Sequence, residues 1–81
     1  MLTADDVRSY IMQGLPCEHV VVQGEDGAHF DAVIVSTAFD GKNRVQQHQL
    51  VYKALGERMR SEIHALSMRT FTPEAWAATG H

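Results

Sequence analysis

Apolar and polar positions recur along this chain with two periods, and the switches between them mark seven elements. Val7, Tyr10, Ile11 and Leu15 are spaced by three and four residues, the stripe of an amphipathic helix. Thr3 is placed to cap it, Asp5 and Asp6 sit at the positive end of its dipole, and Gly14 with Pro16 ends it. Residues 18–23 are β-branched and read as a strand, Gly24-Glu25-Asp26-Gly27 as a tight connection, and residues 29–36 as a second strand, so the pair is a hairpin. Residues 37–41 break the strand with one helical turn. Asn43 then caps a long helix predicted to run to about Arg60, with Val45, Tyr52, Leu55 and Met59 along one face and His48 inside that stripe. Residues 63–70 read as a third strand. Thr72-Pro73 starts a short last helix anchored by Trp76, because threonine caps while proline tolerates the first helical position.

The predicted order is therefore α-β-β-α-α-β-α, a single α+β domain over residues 1–81. The hairpin strands are antiparallel. The second and third strands, joined through helix, can be parallel with a right-handed crossover. The result is a three-stranded mixed sheet with helices on one face.

Eighty-one residues leave no room for a second domain, and a chain this short closes only a small core, which excludes a deep substrate pocket. An apolar fraction of 44% with 21% charged residues excludes disorder. No apolar run approaches the ~18 residues that cross a bilayer, and Asp5 and Asp6 stand where a signal peptide carries positive charge, so a cytoplasmic protein without membrane contact is expected. Cys17 is the only cysteine and cannot form an internal disulfide; a partly buried thiol at the entry to the first strand is expected. The net charge of −3 argues against simple adhesion to phosphate, yet charge is uneven. Residues 1–41 hold Arg8 against seven acids, whereas residues 42–69 carry Lys42, Arg44, Lys53, Arg58, Arg60 and Arg69 against Glu57 and Glu62.

Candidate chemistry is sparse. Five histidines are many for this length, but none forms a His-x-x-x-His pair and no Cys-x-x-Cys exists, which argues against a closed zinc site. Gly-x-Ser-x-Gly and phosphate-cradling glycine loops are also absent, so an enzyme is not expected. By spacing, His64 opens the third strand on the face of Leu66 and Met68 as a structural or rim residue. His48 reads as a core histidine, and His19 and His81 as solvated. His29 follows the hairpin turn and precedes Phe30. Gly24-Glu25-Asp26-Gly27 formally matches the loop of a nucleic-acid-binding KH domain, but it joins two strands and carries two negative charges that repel phosphate. The junction ahead of the long helix, Gly41-Lys42-Asn43-Arg44, is basic and lacks the second glycine.

Two segments carry a family resemblance: Phe39-Asp40-Gly41-Lys42-Asn43-Arg44-Val45 leading to Val51-Tyr52, and Ile63-His64-Ala65-Leu66 followed by Thr70-Phe71-Thr72-Pro73-Glu74-Ala75-Trp76. Together with His29-Phe30 they resemble the BolA family, and Arg44-Val45 with the short hairpin connection is most similar to its IbaG-like branch. The resemblance spans nearly the whole chain, and its C-terminal string is the most specific part. It implies a BolA-like domain similar to the type II KH topology, linked to stress response. It further implies a non-enzymatic adaptor in iron–sulfur cluster trafficking or iron regulation. The implied partner is a monothiol glutaredoxin. The chain, a monomer alone, would form a heterodimer with it in which a [2Fe–2S] cluster is held by the glutaredoxin cysteine and glutathione on one side and by this chain on the other. No cofactor is expected in the isolated chain.

His64 matches the family's C-terminal histidine ligand, and imidazole ligation of one iron is a known mode of holding such a cluster. The family's second ligand, a cysteine or histidine within the hairpin loop, has no counterpart between Gln23 and Ala28. His29, just past that loop, is the nearest candidate, and Cys17 is the other residue left open for the role. The alternative function is a KH-like nucleic-acid-binding transcriptional regulator that contacts DNA phosphates through Lys42, Arg44, Lys53 and Arg60.

Overall fold

The computed structural model describes residues 1–80; His81, expected to be solvated, lies outside the described residues. Helix α1 (Ala4–Gly14) leads into strands β1 (His19–Gln23) and β2 (His29–Val35), and a single 3-10 turn (Thr37–Phe39) precedes α2 (Arg44–Leu55) and α3 (Glu57–Ser61). Strand β3 (Ala65–Phe71) and α4 (Pro73–Ala78) complete the chain. β2 is central, antiparallel to β1 and parallel to β3. The α+β class, the single mixed three-stranded sheet and the single domain agree with the pattern read from the sequence.

Local chemistry explains the boundaries. Thr3 and Asp6 form a reciprocal capping box at α1, and Asn43 and Gln46 form another at α2, each satisfying two N–H groups that the helix leaves unpaired. Thr72 caps α4 through the Ala75 N–H, with Pro73 in the first turn. The buried Ser36 hydroxyl ends β2: it accepts the Ala38 N–H at 3.0 Å and donates to the Pro16 carbonyl, fastening the exit of β2 to the α1–β1 connection.

The register sorts the sheet into two faces. Val20, Ile34 and Thr70 share one row, Val22, Ala32 and Met68 the next, and Phe30 pairs with Leu66; this face meets the helices. Phe30, Ala32 and Ile34 pack there with Val7, Ile11 and Leu15 of α1, Val51 and Leu55 of α2, Ile63 and Phe39. On the other face the rows are His19–Val35–Phe71, Val21–Val33–Arg69 and Gln23–Asp31–Ser67. That face is left open except at the first row, where Trp76 stacks on His19 at 5.0 Å and tilts against Phe71 at 5.2 Å. Trp76 thus anchors the last helix, and His19 is its platform rather than a purely solvated residue.

Three expectations are corrected. The long helix does not reach Arg60: Gly56 adopts φ 58°, where a side chain is disfavoured, and the chain turns there between α2 and α3. Val45 (64% exposed) and Tyr52 (42%) do not belong to the packed stripe, which runs instead through Val51 and Leu55 with Leu50 and Ala54. Gln47 lies on that same inward face: its amide carbonyl accepts the Thr70 hydroxyl at 2.7 Å, and its amide N–H donates to the Lys42 carbonyl at 2.8 Å. His48 is accordingly half-buried at the α2–β3 border, beside Arg44 and Met68, and is not a core histidine.

Candidate metal centre

The hairpin connection and the approach to β3 lie at the same end of the sheet, because β2 and β3 run parallel and start together, with His29 opposite Ala65. The Ala65 N–H donates to the Ala28 carbonyl at 2.9 Å, which pins the two starts to each other. His64 is therefore not the first residue of the strand on the face of Leu66 and Met68, as its spacing suggests. It occupies the bend just before β3, exposed, with its ring edge-on to that of His29 at a centroid distance of 5.4 Å. The two candidate ligands, 35 residues apart in sequence, meet there.

His29 is held by the turn that precedes it. Asp26 Oδ1 accepts the N–H groups of Ala28 and His29, both at 2.8 Å, and Asp26 Oδ2 lies 2.8 Å from His29 Nδ1. The His29 amide, the Ala28 amide and the His29 ring all favour the charged carboxylate and hold the Asp26 pKa well below the usual carboxylate range. A depressed folded pKa contributes stability that is fully present above the unfolded value and is lost progressively as pH falls from there through the lower folded one. The Ala28 and His29 amide resonances are expected to stay unchanged as pH drops through the ordinary carboxylate range and to move only in stronger acid, as an NMR titration would read. Gly24 permits this compact turn, since a Cβ there would stand 2.5 Å from the His29 carbonyl oxygen and 2.7 Å from the Phe30 ring. Gly24→Ala is expected to cost about 1–3 kcal/mol in a urea melt by overpacking, and to shift His29.

Cys17 stands at the other end of the sheet. Its neighbour Glu18 donates to the Val35 carbonyl, and the six residue steps of β2 from His29 to Val35 span roughly 20 Å. Burial pushes its thiol pKa up, and its Sγ lies 3.3 Å from the Leu15 carbonyl oxygen. Cys17 cannot complete a site with His64, and His29 is the one candidate companion beside it.

Two imidazoles are a partial donor set. Among the described residues no group of three or more His, Cys, Asp or Glu side chains is arranged to hold a metal ion. The pair fits one iron of a [2Fe–2S] cluster, where two histidines serve one metal and thiolates the other, provided the thiolates come from outside the chain.

The residues of the alternative basic surface lie on α2, the segment ahead of it, and α3. Lys42 and Lys53 line a shallow groove with Gln46, Gln49 and Leu50, whereas Arg44 lines a separate one with His48 and Arg69, and Arg60 lies on α3. Sequence reasoning missed Asp26 as a partner of His29; an acid three residues before a histidine in a Gly-bounded turn was the available signal.

An α+β domain of this order, with two half-buried helices over a mixed sheet and a two-histidine corner, defines a class of small single-domain proteins. Residues 14–75 match the family model described as BolA-like protein. The chain belongs to the BolA family. It is 39% identical over 74 residues to the acid stress protein IbaG of Escherichia coli, covering 90% of this chain and 87% of that one. It is 47% identical over 51 residues to the DNA-binding transcriptional regulator BolA of Haemophilus influenzae, covering 63% of this chain and 50% of that one. A BolA homologue from Coxiella burnetii superposes with a TM-score of 0.80 at 40% identity, over 95% of this chain and 99% of that one. These relatives are named as a stress protein and a regulator, not as enzymes. No helix among the described residues is long and apolar enough to cross a membrane.

Proposed function

We propose that this chain is a non-enzymatic cytoplasmic adaptor that binds a monothiol glutaredoxin and contributes His29 and His64 to a [2Fe–2S] cluster shared with the glutaredoxin cysteine and glutathione, in cluster trafficking or iron regulation. The observation that carries this reading is the convergence of the two rings at 5.4 Å, at an exposed corner that a partner can reach. A donor set of two imidazoles without thiolate suits sharing with a thiol protein and does not suit a resident metal. When bound, the cluster supplies an iron–sulfur centre; this chain supplies the orientation of its two histidines. Mixing the chain anaerobically with a monothiol glutaredoxin, glutathione, iron and sulfide should give visible absorption and circular dichroism distinct from those of the glutaredoxin alone, with co-elution of the two proteins. Unchanged spectra and separate elution would sink the reading.

The net charge of −3 weighs against phosphate-backbone binding through Lys42, Arg44, Lys53 and Arg60. Anisotropy with duplex and single-stranded oligonucleotides at moderate ionic strength is expected to show no salt-sensitive association. A steep fall of affinity with salt that Lys42→Glu and Arg44→Glu abolish would establish the nucleic-acid reading in its place.

A further inference from the structure

The two ring nitrogens of His29 are not equivalent. Asp26 Oδ1 already receives two backbone N–H groups at 2.8 Å, and its other oxygen faces Nδ1 at the same distance. A carboxylate in that setting only accepts, so the hydrogen bond to the ring requires a proton on Nδ1. In the neutral imidazole this leaves the lone pair on Nε2, the nitrogen not engaged by Asp26, on a ring in T-shaped contact with that of His64. A carboxylate that fixes a histidine's tautomer and ring plane from behind is a recurring support of metal ligands.

We propose that Asp26 is a positioning residue: it locks His29 in the Nδ1–H tautomer so that Nε2 is the atom offered to a metal beside His64. The proposal rests on the cluster-sharing reading for its purpose but not for its geometry, which belongs to the isolated chain. It assigns the hairpin turn a second task. The same carboxylate that closes the turn through Ala28 and His29 also orients the ring, so turn and ligand are set together. His29 stands outside the loop in sequence and is still held as a loop residue would be.

Asp26→Asn separates the two tasks. Its amide oxygen can keep both backbone N–H bonds, which only an acceptor can make, and this places the NH2 group where Oδ2 stood. That group donates to Nδ1 and forces the proton onto Nε2, inverting the tautomer while preserving the turn. The measurement is long-range 1H–15N correlation of the imidazoles in the isolated chain, with pH raised until the ring signals no longer move. Wild type is expected to show His29 as Nδ1–H and Asp26→Asn as Nε2–H, with the Ala28 and His29 amides still hydrogen-bonded in both. With monothiol glutaredoxin, glutathione, iron and sulfide, the variant should hold the shared cluster about 10–100-fold more weakly. A wild-type ring protonated on Nε2, a variant that keeps the wild-type tautomer, or an inverted tautomer with unchanged cluster stability would each overturn the proposal. Failure of the wild-type chain to form any cluster complex overturns the function reading alone, because the tautomers are read without a partner.

Discussion

His64→Ala is expected to remove the heterodimer spectrum altogether, while His29→Ala leaves a complex that loses its cluster at least ten-fold faster. The difference in cluster loss follows from His64 being the match to the family's histidine ligand, whereas the two environments separate the variants in stability. His64 is exposed in the bend before β3, so truncation there removes a ligand and little packing, and stability should stay within about 0.5 kcal/mol of wild type. Loss of the spectrum with an unchanged urea midpoint therefore reports ligation. His29→Ala removes the ring and its contact with Asp26 Oδ2, while the two backbone N–H bonds that close the turn remain. Changes to groups that merely support a ligand cost about 10–100-fold in metal affinity, and loss of the ligand itself should cost no less. Visible circular dichroism followed against time under air, for wild type and both variants, reads the order. A His64→Ala complex with the wild-type spectrum and lifetime would remove His64 as a ligand and with it the basis of the function.

The fold was legible because its signals are local. Thr3, Asn43 and Thr72 each announce a helix start by a side chain that reaches three residues ahead, and all three caps form. The hairpin is written in two β-branched runs around a Gly-bounded turn, and its strands pair from His19 with Val35 to Gln23 with Asp31. Orientation was less legible where it depends on distant partners. Val45 and Tyr52 have helical spacing with Leu55, yet the helix presents Leu50, Val51, Ala54 and Leu55 to the core, with Gln47 on the same face bonded to Thr70 of β3. Both stripes have helical spacing and share Leu55, so periodicity alone does not choose between them.

The candidate site divides in the same way. His64 was marked by the family-like string around it, not by its spacing, which placed it on a strand face it does not occupy. His29 became a companion only once the parallel pairing of β2 and β3 brought their first residues together. Asp26 and the distance to Cys17 are consequences of the hairpin's shape. Arg58, read only as part of a basic segment, lies 4.1 Å over the ring of Tyr10 and helps tie α3 to α1.

Phe39→Ala is expected to be the most damaging single truncation, at about 3–5 kcal/mol. Phe39 is fully buried and is the largest such side chain, though it comes from a 3-10 turn rather than a strand or long helix. The turn is held by Ser36, whose hydroxyl caps it and reaches Pro16, so the backbone under Phe39 cannot readily subside into the space left by its ring. A cavity persists, and cavity and lost transfer free energy add. At roughly 0.05–0.15 kcal/mol per residue, a domain of 81 residues has about 4–12 kcal/mol to lose, so the variant should sit near the edge of folding at 37 °C. The urea midpoint should fall steeply with an unchanged m-value, since the surface exposed on unfolding is nearly the same. Phe39→Leu, which refills much of the volume, should recover most of the loss. A cost below about 1 kcal/mol for the alanine variant would mean that the core closes without the turn, and that the segment after β2 is a surface connection and not one of the elements on which the sheet and helices pack.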